Sequence, residues 1–202
     1  MVNEKLLEFN NYIRQKRVAV LGIGVSHIPL IDYLYKDSAN VTLFDKNEKI
    51  DKNIIKKIND YGMNVSLGEN YLDRLNNFDI IFRSPSIRPD IPEIIKEQKR
   101  GAILTSEIEL VVEICPGTVI GVTGSDGKTT TSSLIYEILK QNNKKCYLGG
   151  NIGMPLFTKL EEMDEDCYVV LELSSFQLMT MEVSPEIAII TNITPNHLDI
   201  HK

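Results

Sequence analysis

The stretch GVTGSDGKT at residues 121–129 decides the fold, because it joins an apolar strand to a helix through a loop built to hold phosphate. Residues 118–122 (TVIGV) read as a short buried strand. Residues 130–140 (TTSSLIYEILK) read as an amphipathic helix with Leu134, Ile135, Ile138 and Leu139 on one face. The glycines between them let backbone amides approach an anion at the positive end of the helix. Lys128 is placed to neutralise β- and γ-phosphate charge, and the Thr129 hydroxyl to ligate Mg2+. The ATP-phosphate site expected here is Gly124, Ser125, Asp126, Gly127, Lys128, Thr129 and Thr130. The generic pattern G-x-x-x-x-G-K-[ST] wants glycine where this chain has Val122, so the loop is a variant. A turn that happens to contain Gly-Lys-Thr is the alternative, and the strand-loop-helix register argues against it.

The rest of the chain divides around this loop. Residues 17–24 (RVAVLGIG) are an apolar strand entering a glycine turn, and 28–35 continue as helix. A second strand, 40–45 (NVTLFD), ends in an acid, and 46–61 is helix-prone. Strand 78–83, helix 92–100 and strand 102–104 follow, before Ser106 caps a helix at 107–114. Strands alternating with helices predict a parallel, doubly wound sheet over residues 1–114, a Cys-Pro-Gly linker at 115–117 and a second unit over 118–202. The fold class is therefore α/β: an N-terminal Rossmann-like parallel sheet followed by a P-loop ATPase-type α/β unit.

Gly22-Ile-Gly24-Val-Ser-His27 follows the dinucleotide fingerprint G-x-G-x-x-G but fails at its third glycine. His27 is too bulky for the close helix-strand packing of an NAD site, so another diphosphate fits the turn better. A plain tight turn is the competing reading, and His27 itself reads as a packed or surface histidine. In the second unit, 167–173 (CYVVLEL) is an apolar strand carrying Glu172 near its carboxyl end, where ligands of parallel sheets gather. Beside a phosphate loop, such an acid suits Mg2+, directly or through water; otherwise it would cap Ser174 and Ser175. Strand 187–191 (IAIIT) leads into NITPNHLD, which puts His197 and Asp199 on the same rim.

Bulk properties bound the function. The 202 residues are 43% hydrophobic and 25% charged, enough for one or two domains with a real core. A net charge of −6 with scattered lysines argues against nucleic acid as a partner. Cys115, Cys146 and Cys167 are far apart and form no C-x-x-C pair, so they read as buried apolar residues in a reducing compartment. No apolar run reaches membrane-spanning length and the first residues lack a signal-peptide core, so the expected location is cytoplasmic, with no membrane partner.

TGSDGKTT (123–130), GGNIG (149–153), ELSSFQL (172–178) and TNITPNHLD (191–199) together resemble the ATP-dependent Mur ligases of peptidoglycan synthesis, in order and spacing. LGIGVSH (21–27), RSPSI (83–87), SEIEL (106–110) and ELSSFQL resemble the branch that adds D-glutamate. The resemblance implies an N-terminal domain for the UDP-sugar, a central ATPase domain and a C-terminal Rossmann-like domain. It implies that ATP phosphorylates the terminal carboxylate of UDP-N-acetylmuramoyl-L-alanine, after which the amine of D-glutamate attacks the acyl phosphate. Carried onto this chain, Lys128, Glu172 and His197 are catalytic; Thr129 and Glu172 hold one Mg2+, and His197 helps hold a second. Asn151 meets the substrate near its reacting carboxylate, while Gly24, Val25, Ser26, Lys46, Asn47, Ser84 and Ser86 line the UDP-sugar site.

Ser86 departs from a glycine common in the family, and Lys46-Asn47 replace other polar residues. The chain ends at Lys202, ahead of the family's carbamylated second-metal lysine, most adenine contacts and the amino-acid domain. An incomplete piece with an unprotected sheet edge, inactive alone, is therefore expected. The rival readings are a UDP-sugar and ATP-binding module without turnover, and an NAD-linked oxidoreductase domain joined to a phosphate loop.

Overall fold

A computed structural model describes residues 3–24, 27–37 and 39–195. The chain divides into two compact units, one spanning Glu4–Leu110 and the other made mainly of the residues from Val111 onward.

The first unit runs α1 (Glu4–Ile13), β1 (Arg17–Leu21), α2 (Ile28–Lys36), β2 (Asn40–Asp45), α3 (Lys52–Asp60), β3 (Asn64–Leu67), β4 (Ile80–Arg83), α4 (Pro92–Lys99) and β5 (Ile103–Thr105). α5 (Glu107–Ile114) follows and crosses the division between the units. The five strands are all parallel, in the order β3-β2-β1-β4-β5. Strand order reverses between β1 and β4, which makes the crevice at their carboxyl ends the place for a ligand. Val18 to Leu21 of β1 and all of β4 are buried, as continuous apolar strands of a parallel sheet should be. Ala19, Leu21, Phe44, Phe78, Ile81 and Ile94 pack into one cluster, with Phe44 and Phe78 edge to face.

Three features differ from the sequence reading. α3 begins only at Lys52, where Asp51 accepts a hydrogen bond from the Asn53 amide and caps it. Residues 46–50 are a loop, because Asn47 takes the Lys49 amide and carbonyl into a side-chain turn that competes with helix. β3 and α1 were not anticipated. NVSL is a short polar edge strand with no alternation strong enough to read.

The second unit runs β6 (Thr118–Thr123), α6 (Lys128–Gln141), β7 (Cys146–Gly150), a 3-10 helix (Phe157–Glu162), β8 (Tyr168–Glu172), α7 (Ser175–Leu178) and β9 (Ile187–Ile190). Its sheet is parallel, in the order β7-β8-β6-β9. The sequence predicted three strands here, and the described residues form four. The additional one, CYLGG, carries two glycines and is only partly buried, so it lacks a strand signature. α6 packs over β8, β7 and β6. The apolar face expected on it is split: Ile135 and Leu139 are half-buried, whereas Leu134 and Ile138 remain 59% and 51% exposed. Cys115 and Cys167 are buried free thiols, but Cys146 is only partly covered, which corrects the expectation for that residue. Among the described residues no helix is long and apolar enough to cross a membrane.

Candidate functional site

The phosphate loop leaves β6 at Thr123. Gly124 has φ +139, and a Cβ there would run into the Thr191 hydroxyl and the Asn192 backbone, so only glycine serves. Gly127 takes the left-handed conformation at the N-cap of α6. The first ladder bond of the helix runs from the Thr131 amide to the Gly127 carbonyl, so the amides of Gly127 to Thr130 have no intrahelical acceptor. These four donors, at the positive end of a 14-residue helix, form an anion cradle. The Lys128 ammonium arches back over the loop and donates to the carbonyls of Gly124 (2.7 Å) and Ser125 (2.9 Å).

Glu172, at the carboxyl end of β8, is 2% exposed. Its carboxylate accepts from the Thr129 hydroxyl at 2.6 Å and from the Asn151 carboxamide at 2.9 Å. The Asn151 amide also donates to the Glu172 carbonyl at 2.8 Å, which fixes the GGNIG turn beside the strand end. Glu172 does not cap the following helix; Ser174 and Gln177 cap it reciprocally. The structure thus brings together Lys128, Thr129, Asn151 and Glu172. A hydroxyl and a carboxylate beside a phosphate cradle suit Mg2+, which takes one or two protein carboxylates and completes its shell with phosphates and water. No group of three or more His, Cys, Asp or Glu occurs among the described residues, and such a site requires none. His197 lies outside the described residues, as do Val25 and Ser26.

In the first unit, Gly24, Lys46, Asn47, Ser84 and Ser86 follow the carboxyl ends of β1, β2 and β4. Gly22 has φ +97, and a Cβ on it would meet Ser84 Cβ at 2.8 Å, so the β1 turn and the β4 loop touch. Ser84 and Ser86 share a hydroxyl contact at 3.0 Å, and Lys46 and Asn47 are exposed. Asp45, the strand-end acid that a dinucleotide site would offer to ribose, instead accepts from the amides of Ile23 (2.7 Å) and Asn47 (2.7 Å). His27 is packed, 3% exposed, with Nδ1 against the Gly22 carbonyl at 2.7 Å. Burial pushes its pKa down, against the opposing pull of that carbonyl, so the ring is held neutral and Nδ1–H donates.

Two residues that position these loops escaped the sequence reading. Arg83, 1% exposed, donates from Nη1 to the carbonyls of Ser84 (3.3 Å), Pro85 (3.4 Å) and Ile87 (2.6 Å). Asn192 grips the phosphate loop through Asp126. A charged residue closing the otherwise apolar strand IIFR is the signal that could have singled out Arg83, and for Asn192 it was its place in TNITPNHLD, just past a strand's carboxyl end.

The Mur ligase MurD-like N-terminal domain matches residues 16–106, and the Mur ligase middle domain matches residues 122–202. The chain belongs to the Mur ligase family. It is 53% identical over 202 residues to a UDP-N-acetylmuramoylalanine--D-glutamate ligase of Acetivibrio thermocellus, covering 100% of this chain and 43% of that protein. It is 55% identical over 197 residues to the ligase of the same name from Clostridium botulinum strain Kyoto, covering 96% and 43%. The chain thus spans less than half the length of these curated relatives. Among solved structures it is similar to a UDP-N-acetylmuramate-alanine ligase from Thermotoga maritima (TM-score 0.52, 23% identity, 92% of this chain and 43% of that one). It is also similar to the UDP-N-acetylmuramate:L-alanyl-gamma-D-glutamyl-meso-diaminopimelate ligase from Neisseria meningitides (TM-score 0.51, 18% identity, 93% and 63%). At these identities the likeness concerns the fold.

Proposed function

We propose that this chain supplies the sugar-nucleotide and ATP-phosphate sites of a cytoplasmic ligase that joins D-glutamate to UDP-N-acetylmuramoyl-L-alanine in peptidoglycan synthesis. The observation that carries the reading is the buried Glu172 carboxylate clamped between Thr129 and Asn151 at the mouth of the Lys128 loop. The substrate assignment is supported by 53–55% identity to relatives of that name along essentially the whole chain. Three free cysteines suit a reducing compartment, and the acidic balance disfavours nucleic acid as a partner.

In this reading a substrate carboxylate attacks the γ-phosphorus of ATP and ADP departs. The D-glutamate amine then attacks the acyl carbon, phosphate leaves, and the nitrogen loses a proton. Two anions must be brought together, so the chain's task is charge screening and alignment. Lys128 and the free amides of Gly127 to Thr130 take the triphosphate. Glu172 draws the Thr129 proton toward itself, which leaves the hydroxyl lone pairs directed at a cation. The same carboxylate ties down the Asn151 amino group, leaving its carbonyl oxygen for the substrate. A Mg2+ held by Thr129 and Glu172, with His197 contributing to a second, would neutralise charge between carboxylate and triphosphate. The diphosphate of the UDP-sugar sits over the β1 turn near Gly24, Val25 and Ser26, flanked by Lys46, Asn47, Ser84 and Ser86.

Calorimetric titration with UDP-N-acetylmuramoyl-L-alanine, Mg-ADP and NADH tests the reading. The first two should bind, NADH should not, and Lys128→Ala should lose Mg-ADP alone while the fold persists. Tight NADH binding without UDP-sugar binding, or Mg-ADP affinity untouched by Lys128→Ala, would overturn it.

A further inference from the structure

The segment after β9 is wrapped onto the phosphate loop. The Ser125 amide donates to the Asn192 carbonyl at 3.2 Å. The Asn192 carboxamide pairs with the Asp126 peptide on both sides: Oδ1 accepts the Asp126 amide at 3.0 Å and Nδ2 donates to the Asp126 carbonyl at 3.1 Å. The Thr191 hydroxyl reaches the same carbonyl at 2.6 Å. The Ser125 hydroxyl donates to the Thr194 carbonyl and accepts from the Thr194 amide, both at 2.8 Å. The Ser125 and Asp126 amides, the Ser125 hydroxyl and the Asp126 carbonyl are therefore committed to residues 191–194, whereas the amides of Gly127 to Thr130 are not. A carboxamide is the side chain that matches a peptide group donor for acceptor. Asn192 thus holds the Asp126 peptide in one orientation, as a neighbouring strand would.

We propose that Asn192 is the positioning residue of the phosphate loop. It turns the Ser125 and Asp126 amides away from the ligand, so that the nucleotide's phosphates are met by Gly127, Lys128, Thr129 and Thr130. Ser125 and Asp126 then serve through the strap and not by touching phosphate. The inference rests on the nucleotide-binding reading and adds to it the residue that sets the loop's geometry.

Asn192 is exposed, so changing it leaves the core intact. Asn192→Ala removes both carboxamide bonds; Asn192→Gln keeps the group but displaces it by one methylene. The protein and both variants are titrated with Mg-ADP and with inorganic pyrophosphate well below their melting temperatures, and amide exchange is followed at Asp126. With two hydrogen bonds to the loop lost, Asn192→Ala should weaken both ligands about tenfold, with Asn192→Gln weaker than the parent by several-fold. The Asp126 amide should be protected before ligand is added and lose that protection in Asn192→Ala. Parent-like affinity of either variant, even with a lowered melting temperature, would make the strap merely structural and overturn the proposal. If the parent protein itself binds neither ligand, the nucleotide reading fails and this proposal falls with it. The two failures are distinguished by whether the parent binds.

Discussion

Arg83 and His27 show how a buried polar side chain can order a loop by bonding its backbone carbonyls. The Arg83 guanidinium gathers three carbonyls of the 84–87 turn. Burial works against its charge and the nearby Glu109 carboxylate works for it. Glu109 is itself buried and accepts from the Thr105 hydroxyl at 3.2 Å. Arg83→Met should therefore destabilise the first unit by about 3 kcal/mol, because carbonyls lose their donor and the cation facing Glu109 is gone. Urea unfolding checks this, and a change below about 1 kcal/mol, the worth of an ordinary hydrogen bond, would contradict it. For His27 the direction of the shift sets the sign. The folded state holds the ring neutral, so the unfolded chain binds its proton more readily. Its contribution is complete above the ordinary histidine value of about 6.5 and is lost as pH falls through that value toward the depressed folded one. His27→Gln should lose less stability than the parent protein between pH 7.5 and 5.5, measured by the same unfolding assay. Equal pH slopes would show that the ring does not titrate differently on folding.

At the scale of elements, the second unit's sheet is unevenly covered. β8 is buried along its length apart from Tyr168, while β9 presents Ile187 at 44% and Ile190 at 61% exposure. β9 lies at an edge of the described sheet, with β6 as its only paired neighbour there. An apolar, uncharged edge strand is a template for pairing with another chain. The chain should therefore self-associate as its concentration rises, and Ile190→Lys should reduce that association without shifting the melting temperature much, as seen by sedimentation; a chain that stays monomeric would contradict this. Unchanged association would place the self-contact elsewhere. The split face of α6 has a related cause. The helix lies over β8, β7 and β6, so Ile135 and Leu139 meet the sheet while Leu134 and Ile138 project beyond it.

Over the whole molecule, each of the two units carries its own parallel sheet and its own buried residues. Chains of this kind commonly unfold in more than one step, and a ligand stabilises the part that binds it. Mg-ADP at about 100 times its dissociation constant should raise the transition of the phosphate-loop unit by about 2.7 kcal/mol and leave the other in place. UDP-N-acetylmuramoyl-L-alanine should chiefly raise the transition of the unit containing Gly24 and Ser84. Calorimetric scans with each ligand check the assignment; one transition responding identically to both would show that the units unfold together.

The sequence alone determined the alternation of strands and helices, the placing of Lys128 and Thr129 at a helix start, and Glu172 at a strand's carboxyl end. These follow from local chemistry: apolar runs, glycine where amides must approach an anion, and a lysine and hydroxyl in fixed register with them. Short or polar elements such as β3 and β7 were illegible, because a neighbouring strand's hydrogen bonds and not their own residues make them strands. The commitments of Asp45, Arg83 and Asn192 were equally hidden. Asp45 could have met a ribose, Arg83 solvent and Asn192 a ligand. Only the tertiary structure decided otherwise, by bringing Ile23, residues 84–87 and Asp126 within hydrogen-bonding distance of side chains remote in sequence or turned inward. A buried or strapped polar group takes whichever partner the fold delivers, and that partner is not written in its local sequence.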